Sequence, residues 1–181
     1  MGEHGPVSTH VALLRGINVG TAKRVAMPVL RALAEGLGYT DVRTHLNSGN
    51  LLLSTDEDAE TLRQRLEQGV EETFGLHADV VVRTLDQLAA VLAANPFPDG
   101  DPSQVVIAFL AGPPAAGTQE RLAALAGEDE PFLVRGLEVY VHHGHGLADS
   151  ALAAGLAKAL GVRATVRNLR TVTKVVELGR R

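Results

Sequence analysis

The residues best suited to chemistry lie in one short stretch of the chain, residues 11–30, with the sequence VALLRGINVGTAKRVAMPVL. An apolar, strand-like run ends there in a glycine-bounded turn, and a helical pattern follows. The glycine and polar residues of this turn are Arg15, Gly16, Asn18, Gly20, Lys23 and Arg24. Glycine turns the chain without a side-chain penalty, and exposed backbone amides at a helix start bind anions. The stretch therefore predicts an anion site, but it does not name the ligand.

A second polar loop, Ser48, Gly49 and Asn50, lies between two predicted strands at residues 42–46 and 50–54. In a split βαβ unit the first and third strands are antiparallel neighbours. We therefore expect residues 15–18 to lie beside residues 48–50 and to form one polar surface. Arginine and free amides there would bind phosphate or carboxylate. The structural alternative is that Arg15 binds hairpin carbonyls and Asn50 closes a turn.

A third group lies near the carboxyl end of the chain. At helical spacing Arg167, either Arg170 or Thr171, and Lys174 share a face, and Asn168 is a suitable N-cap residue. Such a basic patch would bind an anion, including nucleic-acid phosphate. The alternative is a solvated helix face that pairs with the acidic run at residues 56–60.

Two other motifs favour structural roles. His142, His143 and His145 form a histidine-rich run, but neighbouring residues of a strand point to opposite faces, so we expect a polar turn and no metal site. Ser150 has Asp149 nearby, yet no G-x-S-x-G elbow surrounds it, and a helix cap is the favoured role. The chain also has no dinucleotide fingerprint and no Walker A motif. The sequence predicts no cofactor, and no catalytic residue is assigned.

Composition limits the possible classes of function. The 181 residues are 45% hydrophobic and carry a net charge of -4, which argues against a generally basic nucleic-acid coat. Aromatic residues are 3% of the chain, which weakens any mode of binding by base stacking. There are no cysteines, and the first ten residues, MGEHGPVSTH, contain no apolar signal core. A cytoplasmic location is the expectation, with no contact to a membrane.

The order of apolar patterns predicts an α+β fold of two tandem ferredoxin-like halves (βαββαβ), each followed by an extra helix. The expected domains are residues 1–95, a linker at 96–104 rich in proline and glycine, and residues 105–181. The runs at 51–53, 80–82 and 105–110 are apolar without alternation. Strands of this kind are usually buried on both faces, so we expect both faces of each sheet to be covered.

Four segments together resemble a bacterial family catalogued as domain of unknown function 1697. They are VALLRGINVG at residues 11–20, DVRTHLNSGNLLLS at 41–54, VRTLDQLAAVLAANPF at 82–97 and ATVRNLRTVTKVVEL at 164–178. The resemblance spans nearly the whole chain in the same order. It implies an α+β fold of the kind inferred from the patterns and assigns no activity. Where the family typically reads QSGN, this chain has Asn47 before Ser48.

The leading hypothesis is a cytosolic protein that binds an anionic small molecule or nucleic-acid phosphate at the glycine-turn surface. Arg15 and Lys174 would supply charge, and Asn18, Asn50 and Asn168 would orient the ligand. One alternative is an enzyme acting on a phosphorylated or nucleic-acid substrate, which would need a general base or a metal near the same surface. Another is a structural interaction module, marked by an exposed apolar patch. The sequence leaves the ligand and the oligomeric state open.

Overall fold

A computed structural model describes residues 8–20 and 24–181. Lys23, one of the polar residues of the turn predicted from the sequence, lies outside the described residues. In chain order the elements are β1 (Ser8–Arg15), α1 (Met27–Gly36), β2 (Thr40–His45), β3 (Asn50–Thr55), α2 (Ala59–Phe74), β4 (Asp79–Thr84), α3 (Leu85–Ala93), β5 (Val105–Leu110), α4 (Thr118–Leu125), β6 (Phe132–Arg135), β7 (Glu138–His142), α5 (Ala151–Leu160), β8 (Ala164–Asn168) and α6 (Leu169–Gly179).

The strands form two four-stranded antiparallel sheets with the same internal order. The first sheet runs β2-β3-β1-β4 and the second runs β6-β7-β5-β8. In each sheet the first strand of the half pairs with its third and fourth strands, which is the topology of a ferredoxin-like fold. Helices α3 and α6 each follow one βαββαβ set. The predicted fold class, two tandem ferredoxin-like halves with an extra helix after each, is confirmed.

The chain divides into two compact units. Among the described residues, the first unit contains those up to Leu88 together with Val175–Arg181, and the second contains Ala89–Lys174. The division falls within α3 and within α6. The domain limits predicted from the sequence, 1–95, 96–104 and 105–181, stay a prediction.

The core of the first unit forms where α1 and α2 pack on one face of its sheet. Leu30, Leu62 and Leu66 from the helices cluster with strand residues such as Leu51 and Leu53, all of them fully buried. The opposite face is buried too, since every residue of β3 is inaccessible or nearly so. Burial on both faces explains why this strand is apolar without alternation.

The second unit repeats this arrangement with different residues. Val106 and Ala108 of β5 cluster with Leu122 and Leu156 from α4 and α5. Ile107, on the other face of β5, is also fully buried. The expectation that the central strands are covered on both faces therefore holds in each unit. On the second sheet, the Tyr140 hydroxyl donates a hydrogen bond of 2.9 Å to the Val91 carbonyl.

Helix ends follow the local sequence. The Asp58 carboxylate accepts hydrogen bonds from the amides of Glu60 and Thr61 and begins α2. Thr84 and Gln87 form a capping box, with reciprocal bonds of 2.8 and 3.1 Å. Within residues 8–20 and 24–181, none of the helices combines the length and the apolar character that crossing a bilayer requires.

The turn before β3 generates a prediction about Gly49, which has φ +82. A Cβ at this position would lie 2.6 Å from Ile17 Cδ1 and 2.8 Å from Leu14 Cβ. We expect Gly49→Ala to lower the free energy of unfolding by roughly 2–5 kcal/mol, because backbone strain and overpacking add. Urea denaturation measures the loss.

Gly75 provides the matched control for this substitution. It has φ +63, and a Cβ added there would meet no atom within 4 Å, so Gly75→Ala introduces backbone strain alone. Its expected cost is about 1–2 kcal/mol. Equal losses for the two variants would contradict the close packing of Gly49 against Leu14 and Ile17.

Candidate functional site

The glycine turn is the segment Arg15–Gly20, which begins at the last residue of β1. The sign of the backbone φ angle alternates along it from Gly16 to Gly20. Gly16, Asn18 and Gly20 have φ values of +81, +54 and +66, and the residues between them have negative φ. Glycine adopts positive φ freely, and asparagine is one of the few other residues that does so at low cost. The residue types that the sequence analysis singled out are therefore the ones that this backbone requires.

The Asn18 side chain connects the glycine turn to two other stretches of backbone. Its Nδ2 donates to the Val25 carbonyl at 2.9 Å and to the Asn47 carbonyl at 2.7 Å. Its Oδ1 accepts a hydrogen bond of 2.8 Å from the Val25 amide. Val25 and Asn47 carry no sequence signal for this role, because they bind Asn18 through backbone atoms that every residue has.

The loop between β2 and β3 lies beside the glycine turn. The Leu14 amide donates to the Gly49 carbonyl at 2.9 Å, and Gly49 packs against the Ile17 side chain. The expectation that residues 15–18 lie next to residues 48–50 is confirmed. Topology alone was sufficient for it, because β1 and β3 are antiparallel neighbours.

Asn50 lies beneath this surface and is fully buried. Its Nδ2 donates to the His45 carbonyl at 2.7 Å and to Ser48 Oγ at 3.2 Å. Both amide hydrogens thus hold the hairpin turn, where Leu46 has φ +60. Asn18 and Asn50 position backbone in this structure, and a direct contact of either with a ligand stays a prediction.

The exposed residues at and around the glycine turn include glycines, arginines and two apolar residues. Arg15, Gly16 and Gly20 are exposed, and so is Arg24 beyond the turn. Val19 is 74% exposed and Leu46 is 54% exposed. Among the residues that the structure describes, the backbone N–H groups of Val19 and Gly20 form no hydrogen bond. The surface therefore combines exposed arginine residues with exposed residues of the turn itself.

The carboxyl-terminal candidates belong to the second unit. Arg167 is buried, its Nη1 donates to Thr165 Oγ1 and to the Val166 carbonyl at 2.8 Å each, and burial lowers its pKa to about 10. Asn168 Oδ1 accepts a hydrogen bond of 2.9 Å from the Thr171 amide and begins α6, as its N-cap role predicts. Lys174 is half-buried.

The acidic run at residues 56–60 has partners within the first unit. Glu57 pairs with Arg65 and accepts a hydrogen bond from the Tyr39 hydroxyl, while Glu60 pairs with Arg63. The alternative that the basic face of α6 forms ion pairs with these carboxylates stays a prediction. The candidate residues thus form two sets, one in each unit, and each set is organised locally.

The histidine-rich segment is a polar turn with separate partners for its members. His143 is fully buried, and its Nδ1 lies 2.7 Å from Glu130 Oε1. His145 is exposed and bonds to Asp129 at 2.8 Å. Within the described residues, no group of three or more histidine, aspartate or glutamate side chains is arranged to hold a metal. Ser150 Oγ accepts a hydrogen bond of 2.9 Å from the Ala153 amide, so its predicted role as a helix cap is confirmed.

The Glu130 carboxylate links stability to pH. Burial opposes its charged form, but hydrogen bonds from Ser150, His143 and the Gly127 amide outweigh that cost and hold its pKa below the ordinary 4.5. A carboxyl group with a lowered pKa in the folded state contributes stability above its unfolded pKa and loses it as the pH falls. We expect Glu130→Gln to flatten the loss of stability below pH 4.5.

Chemical denaturation at a series of acidic pH values measures this dependence. Glu128→Gln is the matched control, because it removes an exposed carboxylate two residues away and should keep the slope of the parent protein. A parent slope retained in Glu130→Gln would show that the hydrogen bonds to Glu130 do not stabilise its charged form.

Comparison with known proteins places the chain in a family. The pattern of the family described as protein of unknown function (DUF1697) matches residues 7–140, which is more than half of the chain. The chain belongs to this family, and three of the four motifs lie within the matched residues. The family description assigns no activity.

A solved structure with the same fold is the conserved bacterial protein SP0830 from Streptococcus pneumoniae. The two chains are 23% identical and superpose with a TM-score of 0.80 over 96% of this chain and 99% of the other. At that level of identity the likeness supports the fold alone. Comparison with curated proteins gives no match.

Proposed function

We propose that this protein binds an anionic ligand at the glycine turn, and that it does so in the cytoplasm. The ligand class is a nucleotide, a small phosphate or the phosphate backbone of a nucleic acid. The observation that carries the proposal is the alternation of positive and negative φ from Gly16 to Gly20. Successive residues of opposite hand turn their backbone N–H groups toward one concave side, where an anion binds.

Comparison of the two units supports a role for this turn beyond folding. In both units the first strand ends beside the hairpin of the second and third strands. The Leu14 amide donates to Gly49 in the first unit, and the Leu110 amide donates to Leu137 in the second. Yet between β5 and α4 the second unit has a single residue of positive φ, Gly117. The fold therefore forms without an alternating turn at this point.

The charge of the exposed side chains also favours an anion. Arg15 is the last residue of β1, and Arg24 precedes Val25, which the Asn18 side chain holds. A guanidinium donates up to five hydrogen bonds in a planar fork that suits phosphate and carboxylate oxygens. These arginines offer positive charge beside amide donors in a chain whose net charge is -4.

Other residues that the sequence predicts as ligand contacts lie next to the glycine turn or in the second unit. Ser48 is exposed next to the glycine turn and offers a hydroxyl. The other predicted contacts, Arg167, Asn168, Thr171 and Lys174, belong to the second unit, and binding of the ligand by any of them stays a prediction.

Substitution of Gly20 tests the backbone part of the proposal. Gly20 and Gly136 have φ values of +66 and +60, and a Cβ added at either would meet no atom within 4 Å. Both alanine variants should lose a similar stability of about 1–2 kcal/mol. We expect only Gly20→Ala to reduce the thermal shift produced by inorganic phosphate, nucleotides or short oligonucleotides.

Substitution of Arg15 tests the charge. Arg15 and Arg135 are both exposed and both end a strand, so Arg135→Ala is the matched control. We expect Arg15→Ala to weaken binding about tenfold or more, the effect of losing one charge-assisted hydrogen bond. Calorimetric titration measures the affinity. A parent protein that no member of the panel stabilises would overturn the proposed function.

A further inference from the structure

A separate pocket opens in the first unit, on the sheet face opposite α1 and α2. It has a volume of about 230 Å³ and takes its walls from β1, β2, β3 and the end of α6. Its lining residues are Thr9, Asp41, Arg43, Leu52, Ser54, Gly179 and Arg181. Most of these residues have side chains that can form hydrogen bonds, which is unusual for a sheet face whose neighbouring strand residues are buried.

The floor of the pocket follows from the strand register. Thr9 of β1 and Ser54 of β3 are directly opposed, so their hydroxyls lie on the same face of the sheet. Leu52, two residues before Ser54, also lies on this face, while Leu51 and Leu53 belong to the helix-covered core. The floor therefore offers two hydroxyls beside one apolar side chain.

An irregularity in β2 shapes one wall. The pairing of β2 with β3 shifts register between Thr40 and Arg43, and Asp41 within this bulge has φ +52. Bulges redirect side chains and are frequent beside binding sites, and a residue other than glycine at positive φ is a further mark of such sites. The bulge allows Asp41 and Arg43 to line the same pocket.

Contacts within the first unit fix the opposite wall. Arg43 Nη1 donates to the Leu178 carbonyl at 2.7 Å, which orders the guanidinium before any ligand arrives. A Cβ on Gly179 would lie 2.5 Å from Leu85 Cδ1, so the helix end packs tightly where it stands. Arg181 follows it and is a second arginine among the residues that line the pocket.

The charges and the size of this pocket together define a ligand class. The two arginines of the pocket suit a carboxylate on the ligand, and Asp41 suits an ammonium group. The hydroxyls of Thr9 and Ser54 can donate or accept hydrogen bonds beside them. A volume of 230 Å³ holds roughly eight water-sized groups. We propose that this pocket binds a small α-amino acid, with its carboxylate on Arg43 and Arg181 and its ammonium group on Asp41. The proposal is independent of anion binding at the glycine turn.

Residue-resolved NMR titration of the full chain tests this site with three probes. L-Alanine carries both charges, L-lactate replaces the ammonium group by a hydroxyl, and ethylamine lacks the carboxylate. We expect L-alanine to cause saturable shifts at the amides of Thr9 and Ser54, and to bind at least tenfold more tightly than L-lactate or ethylamine.

Asp41→Asn separates the ammonium contact from folding, because asparagine tolerates positive φ and keeps the shape of the side chain. We expect this variant to weaken the binding of L-alanine about tenfold and to leave the affinity for L-lactate unchanged. Asp99→Asn makes the same charge change at an exposed position of the second unit and should leave both unchanged.

Arg181→Ala tests the carboxylate contact and should weaken L-alanine and L-lactate alike. Equal affinities of L-alanine and L-lactate, with no effect of Asp41→Asn, would overturn the proposal in favour of a plain anion site. The absence of saturable shifts with all three probes would overturn it altogether.

Discussion

The carboxamide of Asn18 is the contact on which the first candidate site depends. It binds both backbone groups of Val25 and the carbonyl of Asn47, and so joins the glycine turn to two other segments. Each such hydrogen bond contributes about 1 kcal/mol net, but a partly buried partner left unsatisfied costs more. Asparagine serves twice here, since it also adopts the φ of +54 that the alternating turn requires.

The hairpin beside this turn shows where the fold accepts strain. Leu46 holds φ +60 and leaves 54% of its surface exposed, an unfavourable choice for a large apolar residue on both counts. The buried Asn50 side chain holds this turn in place, because it donates hydrogen bonds to the His45 carbonyl and to Ser48 Oγ. The corresponding hairpin of the second unit turns at Gly136, which has φ +60 without that cost. Strain at Leu46 is therefore a property of this surface and not of the topology.

Much of the fold follows from sequence patterns that act locally. The apolar runs of β3 and β5, the cap at Ser150 and the stop at Gly75 all behave as their residue types predict. The nearness of residues 15–18 and 48–50 also follows, because it depends only on strand order. Sequence patterns were sufficient to predict a feature where the residues that determine it are close in the chain or lie on strands whose pairing is known.

Contacts made through backbone atoms of distant segments could not be predicted in this way. Nothing in the sequence shows that Asn18 reaches Asn47, since any residue offers the same carbonyl there. The bulge at Asp41 is equally hidden, because aspartate in a polar strand fits a regular pairing as well. The pocket that contains Asp41 and Arg43 consequently appears only when strand register and the end of α6 are known.

The two sets of basic residues differ in how much charge they present to solvent. With a pKa of about 10, Arg167 stays charged at neutral pH, yet its burial and its bonds to Thr165 and Val166 direct that charge inward. Arg170 is exposed, but it lies 3.9 Å from the Asp101 carboxylate. These two arginines of the second unit therefore differ, since one is buried and the other is exposed beside a carboxylate. In the first unit Arg15 lies at the exposed end of β1, next to the glycine turn at which we propose that the anion binds.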